Sequence, residues 1–154
     1  MNKRTRAVSI PAKVKRQVEE RDHGQCIFCG NPGRGEAHFI PRSQGGLGIE
    51  ENLITVCRRC HEQLDNSTKR KTMLGVAEEH LKNCYPYWGR DLLIYEKGIN
   101  TKASVQSIRE EYEKQRLLSL SQTKNVIKTK APEGVYFLEG EDDKADRDQS
   151  LDHI

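Results

Sequence analysis

Residues 26–65 read CIFCGNPGRGEAHFIPRSQGGLGIEENLITVCRRCHEQLD, and this stretch decides the fold. Two Cys-x-x-Cys pairs, Cys26/Cys29 and Cys57/Cys60, bracket a polar interior. Each pair folds as a tight knuckle whose backbone amides point at the sulfurs, and four thiolates complete the tetrahedral sphere of a structural Zn2+. The cysteines are therefore scaffold. Between and just after them stand His38, Asn52, His61 and Asp65, residue types that abstract protons, fix loops and hold a hard metal.

Within the stretch, Gly30 and Gly33 suit positive φ and Asn31-Pro32 favours a turn. Glu36 to Ile40 reads as a short strand stopped by Pro41, with Glu36 and His38 on one face and Ala37 and Phe39 on the other. SQGGLGIEEN is too rich in glycine for regular structure and reads as a loop. Leu53 to Val56 is a second strand, antiparallel to the first. A helix beginning near Cys60 places His61 and Asp65 one turn apart on one face.

Upstream, residues 2–10 are basic and read as a loose arm. Pro11 opens a helix through AKVKRQVEERD, with Val14 and Val18 on its packing face and Lys13, Lys15 and Arg16 as solvated charges. Asp22-His23-Gly24 ends it, with Gly24 in the left-handed conformation and His23 a polar residue at the terminus. Downstream, residues 72–83 are weakly helical, and Trp88 with its neighbouring tyrosines forms a satellite packing unit rather than a base-stacking platform. A charged helix is expected over 103–120 and a strand over 135–139. Beyond them runs an acidic, disordered tail of Glu139, Glu141, Asp142, Asp143, Asp146, Asp148 and Asp152.

Bulk properties agree with a small metal-stapled fold. Only 34% of the 154 residues are hydrophobic and 32% are charged, which is poor for a large core. Residues 1–90 carry 16 Lys and Arg against 10 Asp and Glu, whereas the remainder carries 10 against 13, so the basic front suits a polyanionic partner. No stretch has the roughly 18 apolar residues of a membrane span and the N-terminus has no apolar signal region, so a cytoplasmic protein with no membrane partner is expected. Five cysteines, two pairs plus Cys84, fit a reducing compartment better than a disulfide framework.

The order Cys26/Cys29, His38-Phe39-Ile40-Pro41-Arg42-Ser43, Gly45-Gly46, Asn52-Leu53, Cys57/Cys60-His61 resembles the HNH endonuclease family in its zinc-ribbon form, over about residues 20–70. The resemblance implies an α+β fold, a small zinc-stapled ββα-metal (His-Me finger) core with flanking helices. It implies a metal-dependent DNA endonuclease that nicks or cleaves duplex phosphodiester bonds to leave 5′-phosphate and 3′-hydroxyl ends. His38 matches the general base, Asn52 the residue that ties down the loop and orients it, and His61 the metal ligand at the start of the helix. Asp65, one turn on, reaches the same ion, which a His–carboxylate pair selects as Mg2+, Mn2+ or another divalent transition metal. Relatives are frequent in phages and prophages, so a bacterial or phage-infected cytoplasm and phage packaging proteins as partners are implied as well.

One position departs from the pattern. The residue before the base is usually an Asp or His ligand, and here it is Ala37. Three readings stand: His61 and Asp65 hold the ion with waters, Glu36 or His38 supplies the missing ligand, or the site has lost its metal. Arg42, Arg58 and Arg59 are candidates for binding DNA phosphates. The expected organisation is an arm and helix over 1–22, the zinc-bound domain over 23–71, a helical and aromatic extension packing on it over 72–120, and a C-terminal segment over 121–154. The rival to the nuclease is a catalytically silent zinc-ribbon module that binds DNA or a protein; a purely structural zinc protein is a third reading.

Overall fold

The computed structural model describes residues 1–129, and side chains as far as residue 122. The strand expected over 135–139 and the acidic tail lie outside the described residues. The chain divides into two compact units, Met1–Leu117 and Leu118–Ile154. The second contributes to the described residues only the end of a helix that spans Lys102–Thr129.

Helix α1, Lys3–Val8, occupies the arm that composition alone makes loose. Asn2 explains the difference: its side chain accepts from the Thr5 amide at 2.7 Å and so caps the first turn, while Ala7 and Val8 are buried at the other end. A tail of basic residues becomes ordered because two apolar side chains dock. Helix α2, Ala12–Arg21, follows Pro11 and buries Val18 completely. Both His23 and Gly24 then take positive φ, 56° and 68°, and turn the chain into the first knuckle.

Two antiparallel strands follow, β1 (Arg34–His38) and β2 (Leu53–Val56), with Ala37 opposite Ile54 and His38 opposite Leu53. β1 lies two residues earlier than the expected Glu36–Ile40. The ladder ends there because the Asn52 side chain takes both polar groups of Ile40. Gly33 does not use positive φ, in contrast to Gly30 at 74°; its need is closeness, since a β-carbon would sit 2.7 Å from the Val56 carbonyl carbon.

The glycine loop between the strands is not irregular throughout. It contains 3-10 turns at Arg42–Gln44 and Glu50–Asn52, and residues 45–49 are buried. Neighbours stitch it in place: Leu47 N donates to Leu93 O at 2.8 Å, Tyr95 N to Gly45 O at 2.8 Å and Gly48 N to Ala7 O at 3.0 Å. Helix α3, Arg58–Asn66, completes the ββα unit, and α4, Arg70–Cys84, packs against α3. Helix α5, Lys102–Thr129, runs beyond both expected ends, and its Val105 is fully buried. The result is an α+β fold of helices around a two-stranded sheet and a four-cysteine cluster.

One core spans the first unit. Leu47, Leu53, Ile54, Leu81, Leu93 and Val105 are fully buried, each worth about 1.5–3 kcal/mol over exposure. Trp88 belongs to this core and not to a satellite: its ring meets Phe39 edge-on at 5.4 Å, and its Nε1–H donates to Glu51 O at 2.7 Å. A lone tryptophan next to β1 finds the main core because that core is too small to leave a second one.

A buried polar knot holds α2 to β2 and α4. The Asp22 carboxylate, its side chain inaccessible, accepts from Arg21 Nε at 2.7 Å, His80 Nε2 at 2.8 Å and the Thr55 amide at 2.9 Å. Burial alone would raise its pKa, but the hydrogen bonds from His80 and Arg21 outweigh that and hold it well below the usual carboxylate range. A depressed folded pKa means that its stabilisation is complete above the unfolded value near 3.9 and is lost as pH falls below it. Asp22→Ala strands the Arg21 guanidinium, and we expect a loss of about 3–5 kcal/mol in a urea unfolding curve at neutral pH. An unchanged midpoint would show that the knot is dispensable.

Candidate active site and metal centre

The cysteines come together through two local devices. In the first knuckle, Gly30 N donates to Cys26 O at 2.8 Å and Cys26 N to Asn31 O at 2.7 Å, a tight reversal that only the positive φ of Gly30 allows. In the second, Cys57 is the N-cap of α3 and its sulfur accepts from Cys60 N at 3.5 Å. All four Sγ atoms lie within 4.8 Å of one another, and Cys29 and Cys57 are 3.6 Å apart. A tetrahedral ion with bonds of about 2.3 Å needs sulfurs about 3.8 Å apart, so the donor set and its spacing fit zinc. The Asn31 amide draws the Cys29 thiol down to about 7, whereas burial pushes Cys60 up to about 12. Binding a dication therefore has to expel a proton from Cys60 near neutrality.

On the outer side of the sheet, β1, the Pro41–Ser43 segment and α3 enclose a cleft of about 360 Å³. His38, Arg42, His61 and Asp65 all line it. The His38 ring is half-buried with Nε2 3.3 Å from Val8 O. A carbonyl only accepts, so Nε2 carries the hydrogen and Nδ1 is left with its lone pair. Burial, the largest cause, lowers the His38 pKa to about 4; the Val8 bond opposes this, and the charges of Arg42, His61 and Lys102 add to it.

Asn52 is fully buried. Its Oδ1 accepts from Ile40 N at 2.8 Å, while Nδ2 donates to Ile40 O at 3.1 Å and to Leu47 O at 2.9 Å. The side chain thus staples both ends of the segment that follows His38 and does not line the cleft. Gly46 is obligatory beside it, since a β-carbon there would overlap the Ile40 carbonyl and crowd Asn52 Nδ2.

For a second metal, the chain offers two donors side by side. His61 Nδ1 and Asp65 Oδ2 are 2.9 Å apart, one turn apart on α3, and both are about half exposed. Ala37 is buried at 1% exposure and contributes a methyl group. Glu36 shares the cleft but is paired with Lys15, whose hydrogen bond lowers its pKa. Among the described residues, the four cysteines are the only group of three or more such side chains within ligand reach. Two protein donors on an open wall suit an ion that keeps most of its waters, as Mg2+ does.

Arg42 stands in the cleft, and Arg58 lines a wider adjoining one of about 720 Å³ that shares Glu36 and His61. Arg58 also reaches Glu62 at 3.3 Å, and Arg59 is exposed in the first turn of α3 and lines neither cleft. Two contributors had no mark in the motif. Val8 acts through its backbone, and only Asn2, as a helix cap, hinted that the arm is ordered. Arg70 lines the cleft while its Nη1 donates to Leu64 O at 2.7 Å; it is one basic residue among many in sequence.

Comparison with known proteins bears on the same region. The HNH endonuclease family model matches residues 26–67. Over 85 residues, 49% of this chain, the sequence is 31% identical to the CRISPR-associated endonuclease Cas9 of Corynebacterium diphtheriae, although it spans only 8% of that protein. Over 51 residues, 32% of this chain, it is 35% identical to anaredoxin of Nostoc sp. and spans 67% of it.

Proposed function

Since this chain belongs, through residues 26–67, to the HNH endonuclease family of zinc-ribbon type, we propose that it is a divalent-metal-dependent DNA endonuclease with His38 as general base. The observation that carries the reading is the His38 imidazole, anchored by Nε2 on a backbone carbonyl and sharing one cleft with His61 and Asp65. Nδ1 takes the proton of a water, the oxygen attacks phosphorus in line, and the bond to the 3′ oxygen breaks. His61 and Asp65 would hold a divalent ion there, which would stabilise negative charge on the leaving 3′ oxygen until that oxygen takes a proton from solvent. Arg42, with Arg58 and Arg59 nearby, neutralises phosphate charge; such contacts carry no base information, so sequence preference is weak. Asn52 keeps the loop, and through it the base, in place.

The test is a labelled duplex incubated with Mg2+, Mn2+ or EDTA. We expect cleavage with either ion, none with EDTA, and ends that DNA ligase reseals, which requires 5′-phosphate and 3′-hydroxyl groups. The rival, a silent zinc-ribbon module, draws on Ala37: a methyl stands where a third ligand would. It predicts retention of the duplex without cleavage in any ion.

The pH profile follows from the low pKa of His38. The neutral ring is the base, and it stays neutral until pH falls towards about 4. We expect log(kcat/KM) to hold level down to about pH 5, where a base with the ordinary value near 6.5 would already have lost more than tenfold. An acid limb centred near pH 6.5 would show that another group does the work.

A further inference from the structure

Helix α5 begins 64 residues after His38, yet its first two turns reach the neighbours of both groups that position that histidine. Lys102 Nζ donates to Ser9 O at 2.7 Å, and the residue before Ser9 is Val8, whose carbonyl receives His38. Two turns on, Arg109 closes a fork on Glu51, with Nε to Oε1 at 2.9 Å and Nη2 to Oε2 at 2.8 Å, and its Nη1 reaches Glu50 at 3.0 Å. Glu51 is 1% exposed, also accepts from the Tyr87 hydroxyl at 2.7 Å, and directly precedes Asn52. The arm and the loop are themselves joined, since Gly48 N donates to Ala7 O and a side chain at Gly48 would overlap the Ser9 carbonyl.

These contacts fix two peptides that no motif residue controls. A neutral imidazole has two tautomers of similar energy, and the partner on one nitrogen chooses between them. If the Ser9–Ile10 peptide that Lys102 holds turns, the Val8–Ser9 peptide next to it is freed to shift and carry the Val8 carbonyl away from Nε2; if the Glu50–Asn52 turn shifts, the staple on Ile40 shifts with it. We propose that Lys102 and Arg109 are positioning residues through which the start of α5 clamps the His38 imidazole in the Nε2–H form, with Nδ1 turned to the cleft. The catalytic side of this inference rests on His38 being the base, but the tautomer can be read without any cleavage.

The experiment uses the full-length, zinc-loaded chain labelled with 15N, and records the ring nitrogen shifts of His38 alongside plasmid nicking. Wild type should show the single Nε2–H tautomer. In Lys102→Met we expect a mixture of tautomers and a kcat lowered about tenfold to a hundredfold, with KM little changed; Lys102→Arg should restore both. Arg109→Lys keeps a cation beside Glu51 but loses the fork, and should shift both readouts the same way. Zinc content and melting temperature identify the folded variants. Should Arg109→Lys unfold, the half-buried Lys102 position decides alone. A pure Nε2–H tautomer with wild-type kcat in the folded variants would overturn the clamp. If wild type cleaves nothing, the nuclease reading falls while the tautomer comparison still decides the clamp.

Discussion

His38→Ala should fold, keep its zinc and nick DNA about a hundredfold to ten-thousandfold more slowly than wild type, the usual contribution of a positioned base. The effect belongs to chemistry and not to stability, because the ring is only half-buried and makes one long bond, to Val8 O at 3.3 Å. Its neighbours in the chain do the packing: Ala37 and Phe39 are 1% and 3% exposed. Melting temperature should therefore move little, and duplex binding should survive, since Arg42 and Arg58 are untouched. His38→Asn is a useful companion. It keeps a polar group of similar reach but cannot take a proton, so it should be as inactive as alanine. Nicking by either variant at the wild-type rate would remove His38 from the mechanism and leave the cleft without a base.

Cys57→Ser should unfold the zinc-bound region outright. Structural zinc contributes about 10–16 kcal/mol of apparent folding free energy in small domains, as much as the whole net stability of a typical domain. The substitution is sharp because serine is itself a good helix N-cap. It can replace the sulfur that accepts from Cys60 N, so the start of α3 keeps its cap and the ligand is what is lost. Circular dichroism, with zinc content by mass spectrometry, should show both signals disappear together, and chelation of wild type should reproduce the result. A Cys57→Ser protein that stays folded without zinc would mean that the apolar core suffices and the cysteines are not the staple.

The contrast between these two substitutions mirrors what could be read from sequence. Cysteine spacing is a local signal with few structural solutions, and the four sulfurs do lie together. The α+β class and the match to the HNH endonuclease family model follow from the same forty residues. What stayed illegible is carried by pairs far apart in the chain. Ser9 and Lys102 are separated by 93 residues, Glu51 and Arg109 by 58, and Asp22 and His80 by 58. In sequence, Asp22 is a helix-ending residue and Lys102 one charge among many, because a long-range polar contact leaves no periodicity. The arm misled for a related reason. Its composition is that of a solvated tail, and its order comes from Ala7 and Val8 docking on a loop that no local rule brings near.

Ala37 carries the sharpest chemical question. A β1 residue at 1% exposure offers neither charge nor lone pair, so the proposed mechanism leaves the catalytic ion to His61 and Asp65, which the chain holds half exposed and 2.9 Å apart. A site of that kind should need millimolar metal, because two donors and an open wall leave most of the coordination to water.

The most direct test places wild type and His38→Ala side by side on supercoiled plasmid with Mg2+, Mn2+ or EDTA. The predicted result is relaxation by wild type in the presence of a divalent ion, none in EDTA, and almost none by His38→Ala in any condition. Equal relaxation by both proteins, or a wild type that retains the plasmid yet never nicks it in any ion, would contradict the account.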